Sequence, residues 1–287
     1  MNELKQICKD ALSEKKARFI IGYAEDKNKR VKPYIARTPE DANKLVFNHH
    51  AVNNLAVYLN RFKNNTDGKI GIVVKSCDLK AVTALIQENQ VKREDLFIIG
   101  VNCSGVVRDI AEDFTKDNTQ IKCKYCQAKT PPYYDALADE SKDFEMPDDD
   151  QQELMARIDK MTAEERLEFW NAEFEKCIKC YACRQVCPMC YCEKCIVEKS
   201  EPQWIDSSST SRGNFAWNII RAFHQAGRCI GCHECERACP MDIPLTLLTR
   251  KMGMVAFSEF GYRHGTSLTE PTLIGTYSTS DKEDFIK

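Results

Sequence analysis

No apolar run in the 287-residue sequence approaches the roughly 18 residues needed to cross a bilayer. The longest, Ile70–Val74 and Leu96–Val101, are strand-sized, so the chain is not expected to be integral to a membrane. Charge of one sign is also lacking: 41 Lys and Arg face 43 Asp and Glu, for a net charge of −2. Without a basic excess, nucleic acid is not an expected partner. Glycine is sparse, at 12 residues, and none falls in a GxGxxG turn or a phosphate-binding loop, so no nucleotide signature is present. The opening residues, Met-Asn-Glu-Leu-Lys-Gln-Ile-Cys-Lys-Asp, are charged and amphipathic, which favours a cytoplasmic protein over a secreted one.

Cysteine, by contrast, is abundant. There are 16, and seven lie between Cys177 and Cys195. Such density in a small secreted chain signals disulfides, but this length allows about two domains with cores of their own, and metal ligation fits better.

The chain divides by pattern. From Asn2 to Arg18, Leu4, Ile7, Cys8, Ala11 and Leu12 form one helical stripe, which places Cys8 in a core. Phe19–Tyr23 and Val31–Arg37 read as strands around a polar turn, and a long helix is expected from Thr38-Pro39-Glu40 to about Phe62. Lys69–Lys75, Leu79–Gln90 and Leu96–Val101 form a strand–helix–strand unit, so its strands should be parallel with their carboxyl ends on one edge. Ligands of open α/β sheets bind at that edge. Cys77 and Cys103 each follow such a strand, and the CxxC of Cys123 and Cys126 is close enough in sequence to fold back beside them.

An α/β (α+β) N-terminal domain with a small parallel sheet is therefore expected over 1–138. Residues 139–151 read as an acidic linker, either a solvated connector or a dock for a basic partner. A mainly helical, two-cluster ferredoxin-like domain is expected over 152–250, entered by a helix from about Gln152 to Phe174, with an extended tail over 251–287.

Two segments carry the chemistry. Cys177-x2-Cys180-x2-Cys183-x3-Cys187-Pro188 and Cys229-x2-Cys232-x2-Cys235-x3-Cys239-Pro240 both have the bacterial ferredoxin spacing. Three thiolates at these intervals wrap three irons of a cubane while backbone N–H groups turn toward the sulfurs and offset the cost of a buried anion. In two-cluster ferredoxins the fourth cysteine of each run serves the other cluster, which assigns Cys177, Cys180, Cys183 and Cys239 to one [4Fe-4S] cluster and Cys229, Cys232, Cys235 and Cys187 to the second. Structural zinc, the alternative, prefers CxxC pairs. The 41 residues from Pro188 to Arg228 exceed what a minimal ferredoxin needs, and Phe215, Trp217, Ile219, Ile220 and Phe223 mark a buried helix there. His224 and His233 read as satisfied polar residues. Lys176, Lys179, Arg184, Arg228 and Arg237 either favour reduced clusters or are surface charge.

Cys77, Cys103, Cys123 and Cys126 are expected to hold a third [4Fe-4S] cluster, with packed thiols or zinc as alternatives. Cys190-x-Cys192-x2-Cys195 leaves three readings open: a fourth iron–sulfur cluster completed from elsewhere, with Cys8 the one cysteine left over; competition for the role of Cys187; or redox-inactive thiols.

Lys75-Ser-Cys-Asp78, Ile99-Gly-Val-Asn-Cys103, Cys123-x2-Cys126 and Cys187-Pro-Met-Cys-Tyr-Cys-Glu-Lys-Cys195 together resemble the beta-subunit family of coenzyme F420 hydrogenases and formate dehydrogenases. They are most similar to its shorter bacterial members linked to heterodisulfide-reductase-like complexes. The tail from Phe260-Gly-Tyr262 to Asp284-Phe-Ile286 is also similar, while Ser76 and Asn102 stand where members carry Gly and Pro. The resemblance implies an electron-transfer subunit between a hydrogenase or formate dehydrogenase subunit and a heterodisulfide-reductase-like flavoprotein subunit. The rival reading, also implied by the family, is an FAD-dependent oxidoreductase subunit acting on a deazaflavin or nicotinamide.

Overall fold

A computed structural model describes residues 2–62, 67–124, 126, 128–138, 150–277 and 279. Helix α1 (Asn2–Ser13) lays Leu4, Cys8, Ala11 and Leu12 into the core, as its stripe requires. Strands β1 (Phe19–Glu25) and β2 (Val31–Ala36) pair antiparallel, and after the short helix α2 (Leu59–Phe62) the chain enters β3 (Ile70–Val74), α3 (Ser76–Gln87) and β4 (Leu96–Val101). A one-turn helix, α4 (Ile121–Lys124), and a short strand, β5 (Ala136–Ala138), complete this part.

The sheet order is β2-β1-β3-β4-β5, with every pair parallel except the β1–β2 edge hairpin. The α/β expectation holds in this respect. β1 and β3 are buried along almost their whole length, as strands covered on both faces must be. Gly71 lets β1 and β3 approach closely, since a Cβ there would lie 2.6 Å from Ile20 Cγ1.

The long helix expected up to Phe62 does not form. Short 3-10 turns at Asp41–Lys44 and Leu55–Tyr58 flank an extended stretch, and Leu45 bridges to Ala24. The physical reason is competition for carbonyls. Those of Ala51 and Asn53 accept from the buried Lys75 ammonium and that of Val52 from Lys122, so they are not available to an α-helical ladder.

The acidic stretch 139–149 lies outside the described residues, and the chain is helical from Asp150. Instead of one helix from Gln152 to Phe174 there are two, α5 (Asp150–Lys160) and α6 (Ala163–Glu175). Thr162 caps the second, paired with Glu165 in a reciprocal capping box that interrupts the first pattern. Leu167, on the apolar stripe of α6, is half exposed. One-turn helix α7 (Ala182–Gln185), long helix α8 (Ser211–Gln225), one-turn helix α9 (Glu234–Arg237) and α10 (Leu245–Phe260) follow. α10 runs well into the segment expected to be an extended tail. On α8, Trp217 is buried as expected, but Phe223 points to solvent.

Two main hydrophobic cores result, one around the sheet and one built from Trp170, Phe174, Trp217, Ile243 and their neighbours in the helical half. Among the described residues no helix is long and apolar enough to cross a membrane.

Candidate metal centres

The carboxyl ends of β3 and β4 deliver the first cysteine group. Cys77 sits in the first turn of α3, Cys103 just beyond β4, Cys123 in α4 and Cys126 in the loop after it. All four line one pocket. The sequence anticipated their convergence but not the buried charge around them. Lys75, 1% exposed, forms a 2.8 Å ion pair with Asp78 and contacts the Tyr23 hydroxyl. Lys122, 5% exposed, reaches Glu234 at 3.2 Å. Burial disfavours the charge on both lysines. Asp78 opposes this for Lys75 and Glu234 for Lys122, and the net direction for both ammonium groups is upward. Burial pushes the Cys103 thiol up to about 11 and Cys77 further, with the two lysines opposing. Such thiols are neutral until a metal displaces their protons.

The second group is built on two copies of one backbone turn. Lys179 and Tyr181 in the first run, and Gly231 and His233 in the second, all have φ between 55° and 70°. They occupy the same positions within Cys-x2-Cys-x2-Cys. Alternation of this kind turns successive N–H groups to one side and makes an anion-binding concavity. Tyr181 and His233 then open the one-turn helices α7 and α9.

The geometry brings the end of each run to the other run's cysteines. Cys187 lines one pocket with Cys229, Cys232 and Cys235. Cys239 lies among the groups acting on Cys183, together with Cys177 and Cys180. Burial raises the Cys229 and Cys232 thiols, and brings Cys235 to about 12. Cys187 and Cys190 share a hydrogen bond that pulls Cys187 down and pushes Cys190 up. Cys190, Cys192 and Cys195 line a separate pocket against α8. Cys8 is wholly buried in the sheet core, away from these cavities.

The donor chemistry fits anionic multi-iron groups. A zinc ion would need sulfurs about 3.8 Å apart, from bonds near 2.3 Å, and no three His, Cys, Asp or Glu side chains among the described residues converge on a single ion position. A cubane takes its ligands on different irons and so accepts wider spacing. Buried cations supply the matching charge. Arg221, 5% exposed, donates to the Cys183 carbonyl at 3.3 Å, and its buried Nε has no partner. Burial works against its charge, and the sulfurs of Cys235, Cys187, Cys183 and Cys190 favour it once they ionise.

The cations singled out in the sequence mostly serve other partners. Arg184 pairs with Glu198, Arg228 with Glu88, Arg237 with Glu234 and Lys176 with Glu173, while Lys179 donates to the Gly213 carbonyl. The missed residues are Lys75, Lys122 and Arg221. Arg221 could have been found as a charge on the buried stripe of α8, since it follows Trp217 by four residues.

Several contacts join the halves, among them two built on buried charge. Lys122, beside Cys123, pairs with Glu234, beside Cys235. Glu88 at the end of α3 accepts from Arg228 at 2.6 and 2.7 Å and from Tyr191 at 2.5 Å, with His264 Nε2 3.3 Å away but poorly aligned.

No family model matches the sequence. Among curated proteins, the F420-dependent formate dehydrogenase subunit beta of Methanocaldococcus jannaschii is 25% identical over 292 residues, covering 72% of this chain and 76% of the relative. The F420-dependent formate dehydrogenase 1 subunit beta of Methanococcus maripaludis is 24% identical over 297 residues, covering 73% and 76%. The chain is a relative of the formate dehydrogenase beta subunits. The resemblance read from its cysteine motifs is to the family these relatives' names denote. A chain of the F420-reducing [NiFe] hydrogenase complex of Methanosarcina barkeri aligns with 36% of this chain and 38% of its own length, at 21% identity and a TM-score of 0.31, a likeness that carries no argument.

Proposed function

We propose that this relative of the formate dehydrogenase beta subunits is an iron–sulfur electron-transfer subunit of an oxidoreductase complex. Cys177, Cys180, Cys183 and Cys239 hold one [4Fe-4S] cluster, Cys229, Cys232, Cys235 and Cys187 a second, and Cys77, Cys103, Cys123 and Cys126 a third. The observation that carries the reading is the doubled left-handed turn, whose two copies exchange their fourth cysteines. Bound clusters supply one-electron chemistry at potentials set by charge, hydrogen bonding and exposure. The chain's own residues do the rest. Backbone N–H groups of the two turns face the anionic sites, and Lys75, Lys122 and Arg221 hold buried positive charge beside them.

The separate cores support a division into an α/β part over 1–138 and a ferredoxin-like part over 152–250. The Lys122–Glu234 contact supports a continuous path between them. A dehydrogenase or hydrogenase subunit is the proposed first neighbour, and the relatives' names favour a formate dehydrogenase. A heterodisulfide-reductase-like flavoprotein is the proposed second neighbour, in a cytoplasmic complex.

The test is anaerobic purification with iron, acid-labile sulfide and flavin quantified. At least about 12 iron and 12 sulfide per chain, with paramagnetic signals after dithionite, are expected. A colourless zinc protein overturns the reading. Stoichiometric FAD replaces a pure carrier with the flavin-dependent oxidoreductase subunit.

A further inference from the structure

Three cysteines remain outside these assignments. Cys190, Cys192 and Cys195 share a concave site, as the N-terminal four and the Cys187 set each do. The loop is fixed through its main chain at each of them. The Cys190 N–H donates to the Cys187 carbonyl at 3.1 Å, the Cys192 carbonyl accepts from Arg184, and the Cys195 N–H donates to Glu198 at 2.9 Å.

No sixteenth cysteine completes the set, because Cys8 is locked in the sheet core. The opposite wall is α8. Trp217, Ile220, Arg221, His224 and Gln225 line the cavity at the i, i+3, i+4, i+7, i+8 spacing of one helical face. His224 is the only one of these five with a metal-ligating side chain. Its position two turns along the buried Trp217 stripe is not explained by packing, since the residue is exposed.

We propose that Cys190, Cys192, Cys195 and His224 form a fourth [4Fe-4S] site, with three thiolates and one imidazole as ligands. The inference rests on the iron–sulfur reading given above. Histidine is an established replacement for cysteine on cluster iron and raises the reduction potential. Arg221, whose buried Nε has no partner, also lines the cavity and matches the negative charge of thiolate-bound iron. Gln225, which contacts the sulfurs of both Cys187 and Cys190, places this site beside the one completed by Cys187, and exposure of Cys192 and His224 opens it to solvent and to a redox partner.

The test uses the full chain produced anaerobically, with iron and sulfide counted and pulsed EPR recorded on reduced protein labelled at histidine with 15N. The wild type should show histidine nitrogen coupled to one reduced cluster. Cys192→Ala/Cys195→Ala should lose about four irons per chain while both ferredoxin-run signals persist. His224→Ala should abolish the nitrogen coupling, and His224→Cys should keep the iron without it. Unchanged iron in the double cysteine variant, or no histidine coupling in the wild type, overturns the fourth site. Absence of the ferredoxin-run signals from the wild type would instead overturn the underlying reading.

Discussion

Arg221→Met offers the sharpest test of how the helical half handles charge. The guanidinium is nearly inaccessible, and the sulfurs acting on it come from both ferredoxin runs: Cys187 and Cys235 from one crossed set, Cys183 from the other. Reduction adds a negative charge to a cluster, so a neighbouring cation favours the reduced form, and removing it lowers the potential. At a separation of about 8 Å and an effective dielectric of about 20, one charge contributes about 2 kcal/mol, equivalent to about 90 mV for a one-electron couple. Potentiometric titration followed by EPR should show both ferredoxin-run midpoints falling by an amount of this order. The cluster at Cys77, Cys103, Cys123 and Cys126 should keep its potential, because its cations are Lys75 and Lys122. Arg221→Lys retains the charge and should restore most of the difference, which separates electrostatics from packing. Unchanged midpoints in the Met variant, or an equal fall in the Lys variant, would refute the argument.

Cys239→Ser should disturb the cluster of Cys177, Cys180 and Cys183 and spare that of Cys229, Cys232 and Cys235; EPR with the opposite pattern defeats the exchange of ligands. Cys103→Ala should remove about four irons without altering either ferredoxin-run signal, and unchanged iron would mean that the N-terminal cysteines are packed thiols. Glu88→Gln should cost about 1–3 kcal/mol, discounted for its partial solvent access, by weakening the clasp to Arg228 and Tyr191. Burial pulls the Glu88 carboxyl upward, but hydrogen bonds from Arg228 and Tyr191, with the His264 ring close by, outweigh it and hold it at about 2, against 4.5 unperturbed. Its stabilisation is therefore complete above about pH 4.5 and fades toward pH 2, so the thermal-midpoint gap between wild type and Gln variant should stay flat from about pH 8 to 6; a gap that varies there counts against this clasp. Gly265→Ala forces a side chain onto a φ of +74° with its Cβ 2.3 Å from the Lys80 carbonyl, and hydrogen exchange should show the segment around Tyr262–Thr266 opening more readily, by about 1–3 kcal/mol.

The parts of the fold legible in the sequence are those whose reason is local. Ile70–Val74 and Leu96–Val101 are apolar throughout because inner parallel strands are buried on both faces, and the strand–helix–strand connection then fixes where Cys77 and Cys103 emerge. The ferredoxin spacing is likewise a local requirement of wrapping one cluster. The stretch from Thr38 to Phe62 failed for the opposite reason: its carbonyls are claimed by lysines far along the chain, which no helical periodicity can show. β5 was missed because three residues carry too little pattern, and its pairing with β4 is a tertiary event. The break at Thr162 was readable, since Thr162-x-x-Glu165 is a capping box, but the apolar stripe ran through it.

The buried cations point to a common design constraint. A cavity lined by four thiols is stable when empty only because the thiols stay neutral, and binding of an iron–sulfur group turns the same cavity into a concentration of negative charge. A lysine or arginine buried beforehand must therefore tolerate both states. Lys75 does so through Asp78 and the Ala51 and Asn53 carbonyls, and Lys122 through Glu234 and the Val52 carbonyl. Arg221 has the Cys183 carbonyl and leaves Nε without a partner, so it stands to gain most when the thiols ionise. Loading of the helical half should accordingly stabilise its fold more steeply than loading of the N-terminal site. In the Arg221→Met protein, the protection from unfolding conferred by iron on that half should shrink while protection of the sheet half is unchanged. Hydrogen exchange on apo and reconstituted chains measures both halves in one experiment, and equal losses in the two would show that Arg221 acts through general packing rather than through its charge.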